Sequence, residues 1–204
     1  MQTIRTCEAR AIQVEYSFHE DSPSQHEIDL RHTDARTMAD SVMSFRLVVK
    51  EVAARQGVHA TFMPKPLEGV QGSGMHMHLS MFDGERNAFY DENDAYNLSP
   101  LAKSFMAGLL HHAAEITAVT NQTVNSYKRL VPGFEAPINL AYSARNRSAS
   151  CRIPYVTNPK ARRVEIRFPD PTANPYLAFT AMMMAGLDGV QNKIHPGDPI
   201  EQKL

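Results

Sequence analysis

The chain has 204 residues, of which 43% are hydrophobic and 21% charged, and its formal net charge is −1. That length supports one domain with its own core, and the near-neutral charge argues against nucleic acid as the main partner, because duplex binding shows as a basic domain or face. Two cysteines, Cys7 and Cys151, are too few for a disulfide framework or a zinc site and fit a reducing cytoplasm; no apolar run reaches membrane-helix length, and the N-terminus lacks a signal-peptide pattern.

In chain order, residues 11–18 have strand character and lead into a turn-rich stretch, HEDSPSQHEIDL. Asp34 is placed to cap a helix whose apolar face is Met38, Val42, Phe45, Val49 and Val52, ended by Gly57. Residues 58–63 read as a strand stopped by Pro64 and Pro66. The segment 75–82 follows a Gly-Ser-Gly turn and alternates, with Met75, Met77, Leu79 and Met81 on one face and His76, His78 and Ser80 on the other. Asp83-Gly84 is a turn, and Ser99-Pro100 opens a helix burying Leu101, Phe105, Leu109, Ala113 and Ile116. Residues 125–154 hold Arg129, Arg145, Arg147, Arg152 and Lys128 around one glutamate, Glu135, and read as an anion-gripping loop followed by strands. The run 163–168 alternates again, and Asn174-Pro175 caps a last helix reaching about Lys193. This order predicts an α+β domain with a mostly antiparallel sheet whose polar faces gather His, Glu and Arg on one concave side.

Three constellations can carry chemistry. Glu20 and Glu27 flank a turn and supply the oxygen ligands that Mg2+ or Mn2+ prefer, although spacing alone fits two solvated loop glutamates as well. His76 and His78 share a strand face behind glycines that allow close backbone approach. Arg163, Glu165 and Arg167 also share a face, which composition alone reads as a solvated cross-strand ladder. Taken together the sets form an inventory for phosphoryl transfer, yet no P-loop or kinase signature is present.

The motifs MPKP, GSGMHMHLS, NSYKRLVPGFEAP, NRSASCRIP and RVEIRFPDPTANPYLAF occur in that order. They resemble the C-terminal catalytic domain of bacterial type I glutamine synthetases from about Glu20 to the end of the chain. The resemblance implies a curved, mostly antiparallel sheet forming a partial barrel with packed helices. It implies ATP-dependent ligation of glutamate and ammonia through γ-glutamyl phosphate, with ATP and two or more Mg2+ or Mn2+ ions. By motif, Glu20, Glu27, His76 and Glu165 would bind metal. Gly72, Arg129, Glu135, Arg147 and Arg167 would bind glutamate, with Glu135, Arg147 and Arg167 at the catalytic centre. His78, Ser80, Arg152 and Lys160 would bind ATP, and Arg145 receives no role. The resemblance also implies a cytoplasmic homo-oligomer, a dodecamer in full-length members. It makes residues 1–204 a partial catalytic domain, with the N-terminal β-grasp domain, the first catalytic strand with its E-x-E pair and the C-terminal regulatory segment outside the chain. The isolated chain is therefore expected to be inactive or nearly so. Two departures stand out: Ser17-Phe18-His19 occupies the place of a histidine run, and Ser24 that of a usual glycine. A glutamate–polyamine ligase of the same superfamily and a non-catalytic scaffold fragment are the alternatives.

Overall fold

The structure is a computed structural model that describes residues 1–144 and 146–200; Arg145 lies outside them. A short helix α1 (Gln2–Glu8) precedes the hairpin β1 (Val14–His19) and β2 (His26–Leu30). Helix α2 (Ala35–Arg55) follows, and its N-cap Asp34 accepts from Thr37 N at 3.0 Å. Next come β3 (Met77–Leu79), the hairpin β4 (Phe82–Asp83) and β5 (Arg86–Asn87), and helices α3 (Pro100–His111), α4 (Ala113–Thr120) and α5 (Val124–Arg129). Strands β6 (Asn139–Ser143), β7 (Ala149–Arg152) and β8 (Val164–Ile166) precede the last helix, α6 (Pro175–Gln191).

The main sheet has the order β3-β8-β7-β6, antiparallel except for the parallel β6–β7 pair, and it is open at both edges. Helices α3 and α6 pack on it around Phe89, Leu98, Phe105, Leu109, Ile166 and Met182. A second, smaller cluster joins Cys7 and Ile12 to Val48 and Val52 of α2. Between α3 and α6 the backbones touch. A Cβ added at Gly108 would stand 2.1 Å from Ala185 O, and one added at Gly189 would stand 2.2 Å from Ser104 O. Among the described residues no helix is long and apolar enough to cross a membrane.

Four sequence expectations are corrected. Residues 58–63 form no strand; they pack as a loop, with Phe62 edge-on to Phe45 at 6.0 Å, so their apolar content serves α2 rather than a ladder. The helix opened by Ser99 stops at His112, whose backbone leaves the helical region (φ −92°, ψ 10°), and restarts as α4; both imidazole nitrogens of His112 are taken, by Glu115 and by Asp188 of α6. Part of the arginine-rich loop is the helix α5, nucleated by a capping box between Thr123 and Ser126. The 163–168 face is not a solvated ladder: β8 is interior to the sheet, and Glu165 and Arg167 are buried.

Candidate active site

Register assembles the centre. Across β3, β8 and β7, His78 is the partner of Glu165, and Glu165 that of Arg152, so three side chains share one face. Glu165 is 2% exposed and is held from several sides. Arg167 Nη1 donates to Oε1 at 2.8 Å, Arg152 Nε donates to Oε2, and His76 Nδ1 stands 3.5 Å from Oε1. Burial, then the charges of Arg167 and Arg129, holds the His76 imidazole well below the usual histidine range, leaving it neutral and able to offer a lone pair.

Arg163 Nε donates to His78 Nδ1 at 3.1 Å, which leaves His78 Nε2 as the N–H side of the ring. Reading the 163–168 alternation as a surface ladder missed Arg163 as a member of this group, although the alternation itself places it on the Glu165 face. Arg167 Nε donates to Arg147 O at 3.1 Å, so the buried arginine also anchors the segment that carries Arg147. Arg147 Nη1 in turn donates to Glu135 at 3.3 Å. Glu135 follows Gly133 on a turn where both have positive φ, 51° and 88°. A left-handed glutamate is a strained backbone state of the kind found at functional loops. Three arginines, Arg147, Arg152 and Arg167, thus bond to the two carboxylates Glu135 and Glu165, with Arg163 on His78 and Arg129 on the backbone of Arg167, and the surplus positive charge suits an anionic ligand.

Arg129 is placed differently from a free clamp. It is 4% exposed and donates to the carbonyls of Phe168 at 2.9 Å, Arg167 at 3.0 Å and Pro169 at 3.4 Å. Burial pulls its pKa down to about 10. Its guanidinium braces the end of β8 against the Gly72–Gly74 segment. A Cβ on Gly74 would come within 2.6 Å of both Arg129 Nη2 and His76 Nε2, so the bare glycine keeps open a cradle between two potential ligand contacts.

Glu20 and Glu27 meet at the end of the β1–β2 hairpin. Burial, a hydrogen bond to the Glu20 carboxylate and the charge of Asp29 push the Glu27 carboxyl up to about 8. Crowded carboxylates that retain a proton are the donor set a hard divalent cation would neutralise. Asp29 was not singled out from sequence, though it sits two residues from Glu27 in the alternating HEID segment. Ser24 in the turn has φ 59°, a left-handed conformation that accounts for the glycine expected there. Among the described residues no group of three or more His, Cys, Asp or Glu is arranged to hold a metal. Both Glu165 oxygens are engaged by arginines, so the Glu20–Glu27 pair fits a cation better than the His76–Glu165 pair does.

Two expected residues stand apart. Lys160 reaches Glu85 at 2.8 Å rather than the Glu165 group, and Ser80 is exposed just beyond β3. Clefts of ≈ 440 Å³ beside Lys50 and Phe62 and ≈ 230 Å³ beside Ile12 and Leu30 contain none of the candidate residues.

A family model described as glutamine synthetase, catalytic domain, matches residues 1–204. The chain belongs to the glutamine synthetase catalytic-domain family. It is 53% identical over 196 residues to a glutamine synthetase of Thermus thermophilus, covering 96% of this chain and 44% of that protein. It is 51% identical over 204 residues to one of Halobacterium salinarum, covering 100% and 45%. A Plasmodium falciparum glutamine synthetase solved by cryo-EM superposes with TM-score 0.95 at 39% identity, covering 99% of this chain and 39% of that one. The chain thus spans less than half the length of the relatives it matches, and its α+β fold is that of the glutamine synthetase catalytic domain.

Proposed function

We propose that the chain is the C-terminal catalytic part of a bacterial type I glutamine synthetase, a cytoplasmic homo-oligomer that joins glutamate and ammonia at the expense of ATP. The observation that carries this reading is the buried Glu165 ringed by His76, Arg152 and Arg167 beside the bare Gly72–Gly74 cradle. A free carboxylate is a poor electrophile, because its charge repels a nucleophile and its oxide leaves badly. Phosphorylation removes both faults. Arg152, Arg163 and His78 line the face where phosphate charge is met, and Arg167 and Arg147 the face where the γ-carboxylate is met. Divalent cations, when bound through Glu20, Glu27 and the His76–Glu165 edge, would supply the remaining charge neutralisation. Glu135, exposed on its strained turn and paired with Arg147, is positioned to close over the site, exclude water and receive a proton from ammonium.

The test is a chimera in which this chain replaces the matching 196 residues of the Thermus thermophilus relative. Mn2+-dependent γ-glutamyl hydroxamate formation is expected in the chimera and not in the isolated chain. Arg167→Ala or Glu135→Ala in the chimera should lower turnover by about 100-fold or more, the usual cost of removing one preorganised charge. A folded, assembled chimera without activity overturns the reading.

A further inference from the structure

Two loops of the candidate site, far apart in sequence, are tied by side chains to which no role has been given. Ser22 Oγ donates to Gln71 O at 2.9 Å. Gln25 Nε2 donates to Gly72 O at 2.9 Å and to Ser73 Oγ at 3.2 Å. Ser22 and Gln25 lie in the turn between Glu20 and Glu27, and the turn is closed by Glu20 N donating to Gln25 O at 3.1 Å. The far side of the glycine segment is held as well: Ser73 N donates to Pro64 O at 2.7 Å, and a Cβ on Gly72 would meet Pro64 O at 2.5 Å and Arg129 Cγ at 3.0 Å. The segment is therefore clasped, and the carboxylate turn is tied to it by Ser22 at Gln71 and by Gln25 at Gly72 and Ser73, with Gln25 alone reaching the glycine carbonyl and the serine hydroxyl. The Gln25 Oε1 atom is buried with no partner, so the side chain is fixed by its donor end alone.

We propose that Gln25 is a positioning residue that couples a divalent cation at Glu20 and Glu27 to amino-acid binding at Gly72–Gly74, so that each ligand tightens the other. This rests on the functional reading above. A cation drawn between the two carboxylates sets the turn; the turn sets Gln25; and Gln25 sets the carbonyl of Gly72 and the hydroxyl of Ser73. Coupling of this kind is reciprocal.

Amide resonances of the isotopically labelled chain are followed while Mg2+ and L-glutamate are titrated singly and together, which reads even weak binding. In the wild type, Mg2+ should move the amides of Gly72 and Gly74 as well as those of the hairpin, and tighten glutamate by at least about fivefold, the lower end of common coupling factors. In Gln25→Leu the hairpin should still respond to Mg2+, while the glycine amides stay still and the factor falls towards one. Gln25→Glu, which keeps the shape and loses the donor, should behave the same way and serves if the leucine variant does not fold. An unchanged factor in either folded variant overturns the proposal. A wild type that binds both ligands without coupling, or that binds neither, overturns this proposal, whereas the functional reading stands or falls with the chimera.

Discussion

Glu165 is a carboxylate at 2% exposure in the interior of a sheet, a place where an unpaired charge would not survive folding. It persists because Arg152 and Arg167 both donate to it and His76 stands at its edge. Replacing Glu165 by Gln keeps the shape and leaves two guanidiniums facing a neutral amide. Urea denaturation should then show a loss of about 3 kcal/mol, in line with breaking buried ion pairs. Sequence could reveal that Arg163, Glu165 and Arg167 share a face, since period-two alternation does that directly. It could not reveal that the face is buried, because an Arg-Glu-Arg face reads the same whether its partners are water or the neighbouring strands. Arg129 shows a related gap. Its charge was legible, but its use of backbone carbonyls at 2.9 and 3.0 Å depends on where residues 167–168 pass in space.

At the scale of elements, helices with strong punctuation were readable. Asp34, Ser99 and Asn174 each accept the cap hydrogen bond that their residue type predicts. The short helices α1 and α5 were not, since a turn or two carries too little periodicity to register. The break at His112 was also invisible, because no Gly or Pro marks it and the partner of its side chain, Asp188, lies on another helix. Asp188 and Glu115 raise the His112 pKa above the ordinary histidine value. A group whose folded pKa is raised adds stability fully present below its unfolded value and lost as pH rises through the folded one. Wild type should therefore melt above His112→Asn at pH 5.5, and the gap should narrow by pH 8.5. The α3–α6 contact is a packing constraint with no such pH dependence. Gly108→Ala adds a methyl group where a Cβ would lie 2.1 Å from Ala185 O, and it should cost about 3 kcal/mol by overpacking despite alanine's better helix propensity. Thermal or chemical denaturation checks it.

At the scale of the molecule, the chain carries a site and a core while matching under half of each relative's length. Large apolar side chains remain exposed along its helices, including Leu47 at 62%, Leu177 at 57% and Met184 at 67%. Exposed apolar area favours association, so sedimentation of the isolated chain should show species smaller than a dodecamer that grow with concentration. The family and fold were legible from motif order; the internal division of the core was not. That division separates the two cysteines: Cys7 belongs to the cluster with Val48 and Val52, and Cys151 to the sheet core with Ile166. Both thiols are fully buried, and burial raises the pKa of each, which disfavours the reactive thiolate in the native state. The pair therefore forms a built-in two-channel chronometer: the order in which an alkylating reagent claims them records which of the two apolar cores opens first, with no probe added to the chain.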